Sequence, residues 1–211
     1  LKSFLDVGFY FITDISKSVQ GHIADVTHAL QAGCSLVQYR EKQQSTRIMI
    51  ETATALREIC RGKAYFLVND RVDVALSVDA DGVHLGHDDM PIGMARRLLG
   101  HDKLIGFTVR TLDEAKEAEQ KGVDYLALGP IFPSMTKPDL GPACGPGLIE
   151  EVKQQISVPL VAIGGITLSN APAVLAAGAD TLAAISSVVG SEDIYRSVFE
   201  FESLIKEYKK P

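Results

Sequence analysis

Leu36-Val37-Gln38-Tyr39-Arg40-Glu41-Lys42 begins as a strand and ends as a receptor for an anion. If the apolar pair Leu36-Val37 runs on as a strand end, a side-chain period of two puts Gln38, Arg40 and Lys42 on one face. Tyr39 and Glu41 then point the other way. Two cations and an amide converging at a strand's end suit a phosphate or diphosphate. Few folds bring such a cluster together inside the molecule, so the run bears on fold and function together.

Outward from it, short apolar runs alternate with longer amphipathic segments. Eight runs read as strands: Phe9–Ile12, Ser35–Gln38, Tyr65–Val68, Gly82–Leu85, Leu104–Phe107, Tyr125–Leu128, Leu160–Ile163 and Thr181–Ile185. Helical periodicity covers Val19–Ala32, Thr46–Arg61, Met94–Leu99, Leu112–Lys121, Gly147–Gln155, Leu168–Ala177 and Asp193–Tyr208, with a short Arg71–Ser77 segment after the third strand. Gly33, Gly122 and Gly178 stand where left-handed helix ends are wanted. Thr111 and Glu114 suggest a capping box, and Ser169-Asn170 offers similar chemistry at the seventh helix. Strands alternating with helices imply parallel pairing with both faces buried. Eight such units predict a single-domain (β/α)8 TIM barrel, an α/β fold, over residues 1–211, with an open doubly wound sheet as the runner-up.

Composition sets bounds. The 211 residues are 46% hydrophobic and 23% charged, as in a water-soluble domain. A net charge of −6 disfavours a nucleic-acid binder. No run reaches the ~20 apolar residues of a membrane span. Cys34, Cys60 and Cys144 are odd in number and scattered, which predicts reduced thiols and a cytoplasmic protein. The start of the chain does not read as a signal peptide. The sequence leaves oligomeric state open, a homo-oligomer included.

In a parallel barrel the chemistry sits at the C-terminal ends of the strands. Asp70 and Asp89 follow adjacent strands, and paired carboxylates beside bound phosphate are the usual way to hold Mg²⁺. Asp70 reads equally well as an N-cap, and Asp88 competes with Asp89. Arg40 and Lys42 have an alternative reading as structural ion pairs. Lys137, in a Pro- and Gly-rich loop, reads as a cap over an anion or as a solvated lysine. Gly164-Gly165 and Ser186-Ser187, after strands seven and eight, fit a second phosphate site, although the glycines alone also suit a sharp turn. His22, His28 and His101 read as surface, whereas His84 ends strand four and can face the barrel mouth. No serine–histidine signature appears, so triad chemistry is not expected.

Taken in order, these motifs resemble the thiamine-phosphate synthase family. The resemblance runs through Tyr10-Phe11-Ile12-Thr13-Asp14, Val37–Lys42, Val68–Asp73, Ala80–Gly86, Leu128–Pro133, Thr136–Asp139, Ala162–Ile166 and Ile185-Ser186-Ser187. It implies a (β/α) barrel that joins hydroxymethylpyrimidine diphosphate to hydroxyethylthiazole phosphate, two phosphorylated small molecules, with Mg²⁺ as cofactor. By resemblance Gln38, Arg40, Lys42, Asn69 and Lys137 hold the pyrimidine diphosphate. Asp70 and Asp89 ligate Mg²⁺, Thr108 replaces a usual serine near the reacting centre, and Thr136, Gly165, Ile185 and Ser186 meet the thiazole phosphate. Arg40, Lys42, Thr108 and Lys137 carry the catalytic roles. Tyr39 and His87 depart from the family pattern, as does Arg110, which occupies a place where many relatives have histidine. The paralogous thiazole tautomerases depend on that histidine. A tautomerase-like isomerase and a non-catalytic phosphate-ligand sensor are the competing readings.

Overall fold

The computed structural model describes residues 7–133 and 141–209. Eight parallel strands close in chain order into a barrel. They are β1 (Phe9–Ile12), β2 (Leu36–Tyr39), β3 (Tyr65–Asn69), β4 (Gly82–Leu85), β5 (Leu104–Val109), β6 (Tyr125–Leu128), β7 (Leu160–Ile163) and β8 (Thr181–Ala183). The helices are α1 (His22–Gln31), α2 (Thr46–Cys60), α3 (Val72–Ser77), α4 (Ile92–Leu99), α5 (Leu112–Gln120), α6 (Gly147–Lys153), α7 (Ala171–Ala176) and α8 (Ile194–Tyr208). Closure comes from β1 against β8, with Phe9 opposite Leu182 and Tyr10 opposite Ala183. This is the expected (β/α)8 barrel, and the open sheet is excluded. Among the described residues no helix is long and apolar enough to cross a membrane.

Each helix buries one stripe against the barrel. In α2 the buried residues Met49, Ala53, Leu56 and Cys60 recur at helical spacing. In α8 Ile194, Val198, Phe201 and Ile205 do the same, and Phe201 stacks on Phe9 at 4.8 Å. Side chains of Tyr10, Gln38, His84, Thr108 and Tyr125 fill the barrel's interior. Gly106 makes room for this packing, because a Cβ there would lie 2.0 Å from Tyr125 Cζ.

A repeat links the lower ends of the strands. Asp81, just before β4, accepts from Phe66 N at 2.7 Å and from Arg57 of α2 at 3.0 Å. Asp124, before β6, accepts from Ile105 N and Arg96 of α4, both at 2.6 Å. Asp180, before β8, accepts from Leu160 N and Lys153 of α6, both at 2.7 Å. Glu202 of α8 plays the equivalent part for β1, accepting from Phe9 N at 3.0 Å. Each carboxylate ties an N–H at a strand's first or second residue to a neighbouring unit, so the barrel is laced in pairs of βα units.

Several local expectations shift. β8 stops at Ala183, two residues early, and the chain turns through Ser186-Ser187. Helix α1 starts at His22 because Gly21, at φ 86°, occupies the cap position. Thr111 caps α5 as expected, but Glu114 Oε2 takes Arg110 N at 2.7 Å, one residue further back than a capping box requires. Asn170 stands at the α7 cap position without a side-chain cap bond. It reaches backward instead, accepting from Thr167 N and donating to Gly165 O. His22 is buried rather than surface, edge-on to Tyr39 with ring centroids 5.1 Å apart.

Candidate active site

The alternation at the end of β2 is as the period of two requires. Gln38 points into the barrel, where its Nε2 donates to Tyr10 Oη at 2.5 Å. Tyr39 and Glu41 turn outward, toward α1: Tyr39 packs on His22, and Glu41 Oε2 lies 3.7 Å from His22 Nε2. Glu41 also clamps the following turn, accepting from Lys42 N at 2.8 Å and Gln43 N at 2.7 Å. Arg40 N donates to Thr13 Oγ1 at 3.0 Å, pinning the end of β2 to the end of β1.

Both cations are held by acids from neighbouring strand ends, not by Glu41. Arg40 Nη1 lies 3.1 Å from Asp14 Oδ2, in a pair with side chains 14% and 7% exposed. Arg40 Nε is buried without a partner. Lys42 Nζ pairs with Asp70 Oδ2. Asp14 follows β1 and is fixed in turn by Ser16, whose N and Oγ both donate to its Oδ1. Sequence reasoning gave Asp14 no role. Its signal was its place two residues beyond an apolar run, beside a strand carrying an arginine.

Asp70 does not cap a helix. Arg71 occupies the α3 cap position, and Asp70 sits at φ 61°, a left-handed conformation that side chains other than glycine adopt rarely. Its N–H is bonded to His84 O at 2.8 Å, which ties the turn after β3 to strand β4. Asp88 is exposed, whereas Asp89 folds inward, accepting from Gly86 N at 2.7 Å. Partial burial and the neighbouring Asp70 carboxyl push Asp89 up to about 6, against the pull of the Gly86 N–H and of Lys42. Asp70 and Asp89 are therefore close enough to repel. Among the described residues no three acids, histidines or cysteines form a metal cage. The donor set suits a hard cation that keeps waters and takes further oxygens from a substrate phosphate, as Mg²⁺ does. Two repelling carboxylates are relieved by such a cation.

Asn69 ends β3 on the same face, 3% exposed, with Nδ2 buried and unpartnered. Thr108 of β5 places Oγ1 2.8 Å from His84 Nε2. Arg110 is exposed just past β5. After β7, Gly164 at φ 97° and Gly165 at φ 64° allow the loop following β6 to cross closely. A Cβ would lie 2.6 Å from Pro130 Cα at the first and 2.6 Å from Pro133 O at the second. The sharp-turn reading of these glycines is thus sufficient on packing alone. Ile185 is buried and Ser186 exposed at the turn after β8. Ser187 Oγ donates to Ile166 O at 2.9 Å and joins that turn to the loop after β7. Thr136 and Lys137 lie outside the described residues.

The mouth therefore brings together Gln38, Arg40, Lys42, Asn69, Asp70, Asp89 and Thr108, with Gly165, Ile185 and Ser186 on the loops after β7 and β8. Against known proteins, the family model described as thiamine monophosphate synthase matches residues 9–188. The chain belongs to this family. The thiamine-phosphate synthase of Methanosarcina barkeri is 51% identical over 205 residues, 97% of this chain and 93% of that protein. That of Methanosarcina mazei is 52% identical over 204 residues, 97% of this chain and 85% of that one. Among solved structures, a thiamine phosphate pyrophosphorylase from Pyrococcus furiosus superposes with a TM-score of 0.89 at 40% identity, covering 97% of this chain and 98% of that one. The thiamine monophosphate synthase match spans every strand of the barrel and the whole of the described site.

Proposed function

We propose that this chain is a thiamine-phosphate synthase, joining a hydroxymethylpyrimidine diphosphate to a hydroxyethylthiazole phosphate with release of diphosphate. The observation that carries this reading is the charge arrangement at the mouth. Arg40 and Lys42 are outnumbered by Asp14, Asp70 and Asp89, so these side chains alone would repel a diphosphate. A divalent cation held by Asp70 and Asp89 would reverse that sign, and the same residues would then suit a diphosphate. A histidine- or cysteine-centred nucleophile has no place in this set.

The chain's own residues have separable tasks. Arg40 and Lys42 exchange their carboxylate partners for diphosphate oxygens and stabilise charge on the departing group. Asp70 and Asp89 would hold Mg²⁺, which when bound neutralises further charge on the diphosphate. Gln38, Asn69 and Thr108 bind the ring below it. The aminopyrimidine stabilises a methyl cation through its own ring nitrogens, so diphosphate can leave before the thiazole nitrogen attacks. The protein then needs only to orient the partners and exclude water. We assign the thiazole phosphate to Gly165, Ile185 and Ser186, with backbone N–H groups as donors, and retain Thr136 and Lys137 as contacts of the bound substrates. Free Cys34 and Cys60, whose burial pushes both thiols up to about 12, suit a reducing cytoplasm.

The test supplies both substrates with Mg²⁺ and measures thiamine phosphate. Formation of the product supports the reading, and its absence refutes it. Isomerisation of the thiazole phosphate alone, without coupling, would instead support a tautomerase. The exposed Arg110 argues against that outcome, since a guanidinium is a poor proton shuttle at neutral pH.

A further inference from the structure

Beneath the anion contacts runs a chain of hydrogen bonds that neither the metal pair nor the diphosphate explains. Gln38 Nε2 donates to Tyr10 Oη at 2.5 Å. Tyr10 Oη lies 2.7 Å from Tyr125 Oη, which lies 2.8 Å from His84 Nδ1. His84 Nε2 is 2.8 Å from Thr108 Oγ1. The chain crosses the barrel from β2 to β5 through β1, β6 and β4, and its two tyrosines are at most 1% exposed. Its ends, Gln38 and Thr108, are residues assigned above to the pyrimidine.

Direction propagates along such a chain, because each phenol has one proton to give. Burial raises both tyrosines above their ordinary range, so both remain protonated. With Gln38 donating to Tyr10, the Tyr10 proton goes to Tyr125 and the Tyr125 proton to His84 Nδ1. His84 is then the Nε2–H tautomer and donates to Thr108, whose own proton is left to point elsewhere. Gln38 Oε1 accepts no bond among the described residues. Beside it Asn69 Nδ2 is a buried donor without a partner. The site thus offers an acceptor at Gln38 and donors at Asn69 and Thr108.

We propose that Tyr10, Tyr125 and His84 are positioning residues that set this polarity, so that the site accepts a heterocycle carrying an exocyclic amine and unprotonated ring nitrogens. This rests on the synthase reading and deepens it. A pyrimidinone with oxygen in place of the amine presents an acceptor where Gln38 offers one. Binding it requires the Gln38 amide to flip, and that flip breaks the relay unless every link reverses as far as Thr108. Discrimination between amine and oxygen is then a property of the whole chain.

The test compares kcat/KM for the aminopyrimidine diphosphate and its 4-oxo analogue, with thiazole phosphate and Mg²⁺, in the wild type, Tyr10→Phe, Tyr125→Phe and the double variant. Wild type should prefer the amine by about 100-fold or more, as sites with buried polar groups reject a mismatched partner. Each single substitution should narrow that preference about 10-fold, and the double variant no further than the larger single, because one broken link frees the chain. Inhibition by inorganic diphosphate should stay within about two-fold, since Arg40 and Lys42 are untouched. Folded single variants that keep the full preference, or that lose both substrates equally and additively, overturn the relay while leaving the synthase reading standing. If Tyr125→Phe does not fold, Tyr10→Phe, which removes the hydroxyl that Gln38 and Tyr125 share, decides between the same two outcomes. A wild type that makes no thiamine phosphate overturns both.

Discussion

At the scale of single residues, the candidate site is built from charges that are already paired with each other, Arg40 with Asp14 and Lys42 with Asp70. On the proposed reading, removing Lys42 would cost one charge-assisted contact to diphosphate, worth about 1.5–3 kcal/mol. Lys42→Ala should raise KM for the pyrimidine diphosphate about 10- to 100-fold, and a steady-state titration of that substrate checks it. The Asp70–Asp89 pair gives a pH prediction. Asp89 has its affinity for a proton raised from the ordinary value near 3.8 to about 6 in the fold. Its contribution to stability is therefore present below 3.8 and lost as pH rises through about 6 in the metal-free protein. If Asp70 and Asp89 hold Mg²⁺ as proposed, the metal competes with that proton, so its stabilising effect should be small at about pH 5 and larger at about pH 8. Thermal unfolding with and without Mg²⁺ at the two pH values tests this, and equal shifts would contradict it. Asp70→Asn should remove the Mg²⁺-dependent shift. What the sequence conveyed at this scale was residue type and strand phase: Gln38 turns into the barrel, while Tyr39 and Glu41 turn toward His22. It did not convey the partners. Asp14 meets Arg40, and Tyr10 meets Tyr125 across 115 residues, only because the barrel closes.

At the scale of elements, periodicity was enough to place every strand and seven helices among the described residues, with α3 marked only as a short segment, because parallel strands are buried on both faces and helices on one. Ends were harder to read. Glu114 and Asn170 have the right chemistry for caps, yet each reaches a backbone group outside the helix it was expected to cap. Such choices depend on the path of the preceding loop, which local pattern does not encode. The carboxylates that lace the strand starts likewise emerge only from the register, although Asp81, Asp124 and Asp180 occupy equivalent places in the sequence, each just before an even-numbered strand. Their role is stability at the end of the barrel away from the chemistry. Asp124→Ala leaves Ile105 N and Arg96 without their shared acceptor and should cost about 1–3 kcal/mol. Chemical denaturation should show that loss, while kcat of the remaining folded enzyme is unchanged. A fall in kcat without a fall in stability would contradict the assignment.

At the scale of the whole molecule, the barrel's use is to bring strand ends far apart in sequence to one mouth. Asp14, Arg40, Asp70, Asp89 and Thr108 come from five different strand ends, and none of the pairs between them is local. The fold was legible because it follows from repetition. The site was legible only in the parts that a strand's own alternation or a family motif could carry, and Thr136 and Lys137 remain sequence assignments. The central claim is that this mouth couples two phosphorylated substrates around a metal held by Asp70 and Asp89. The measurement that tests it most directly follows thiamine phosphate and diphosphate together, for wild type and Asp70→Asn, across a Mg²⁺ titration. The expected result is equimolar release of both products by the wild type, requiring Mg²⁺, with Asp70→Asn slowed about 100-fold or more, as loss of transition-state charge stabilisation predicts. Undiminished turnover by Asp70→Asn, or by wild type in excess chelator, would contradict it.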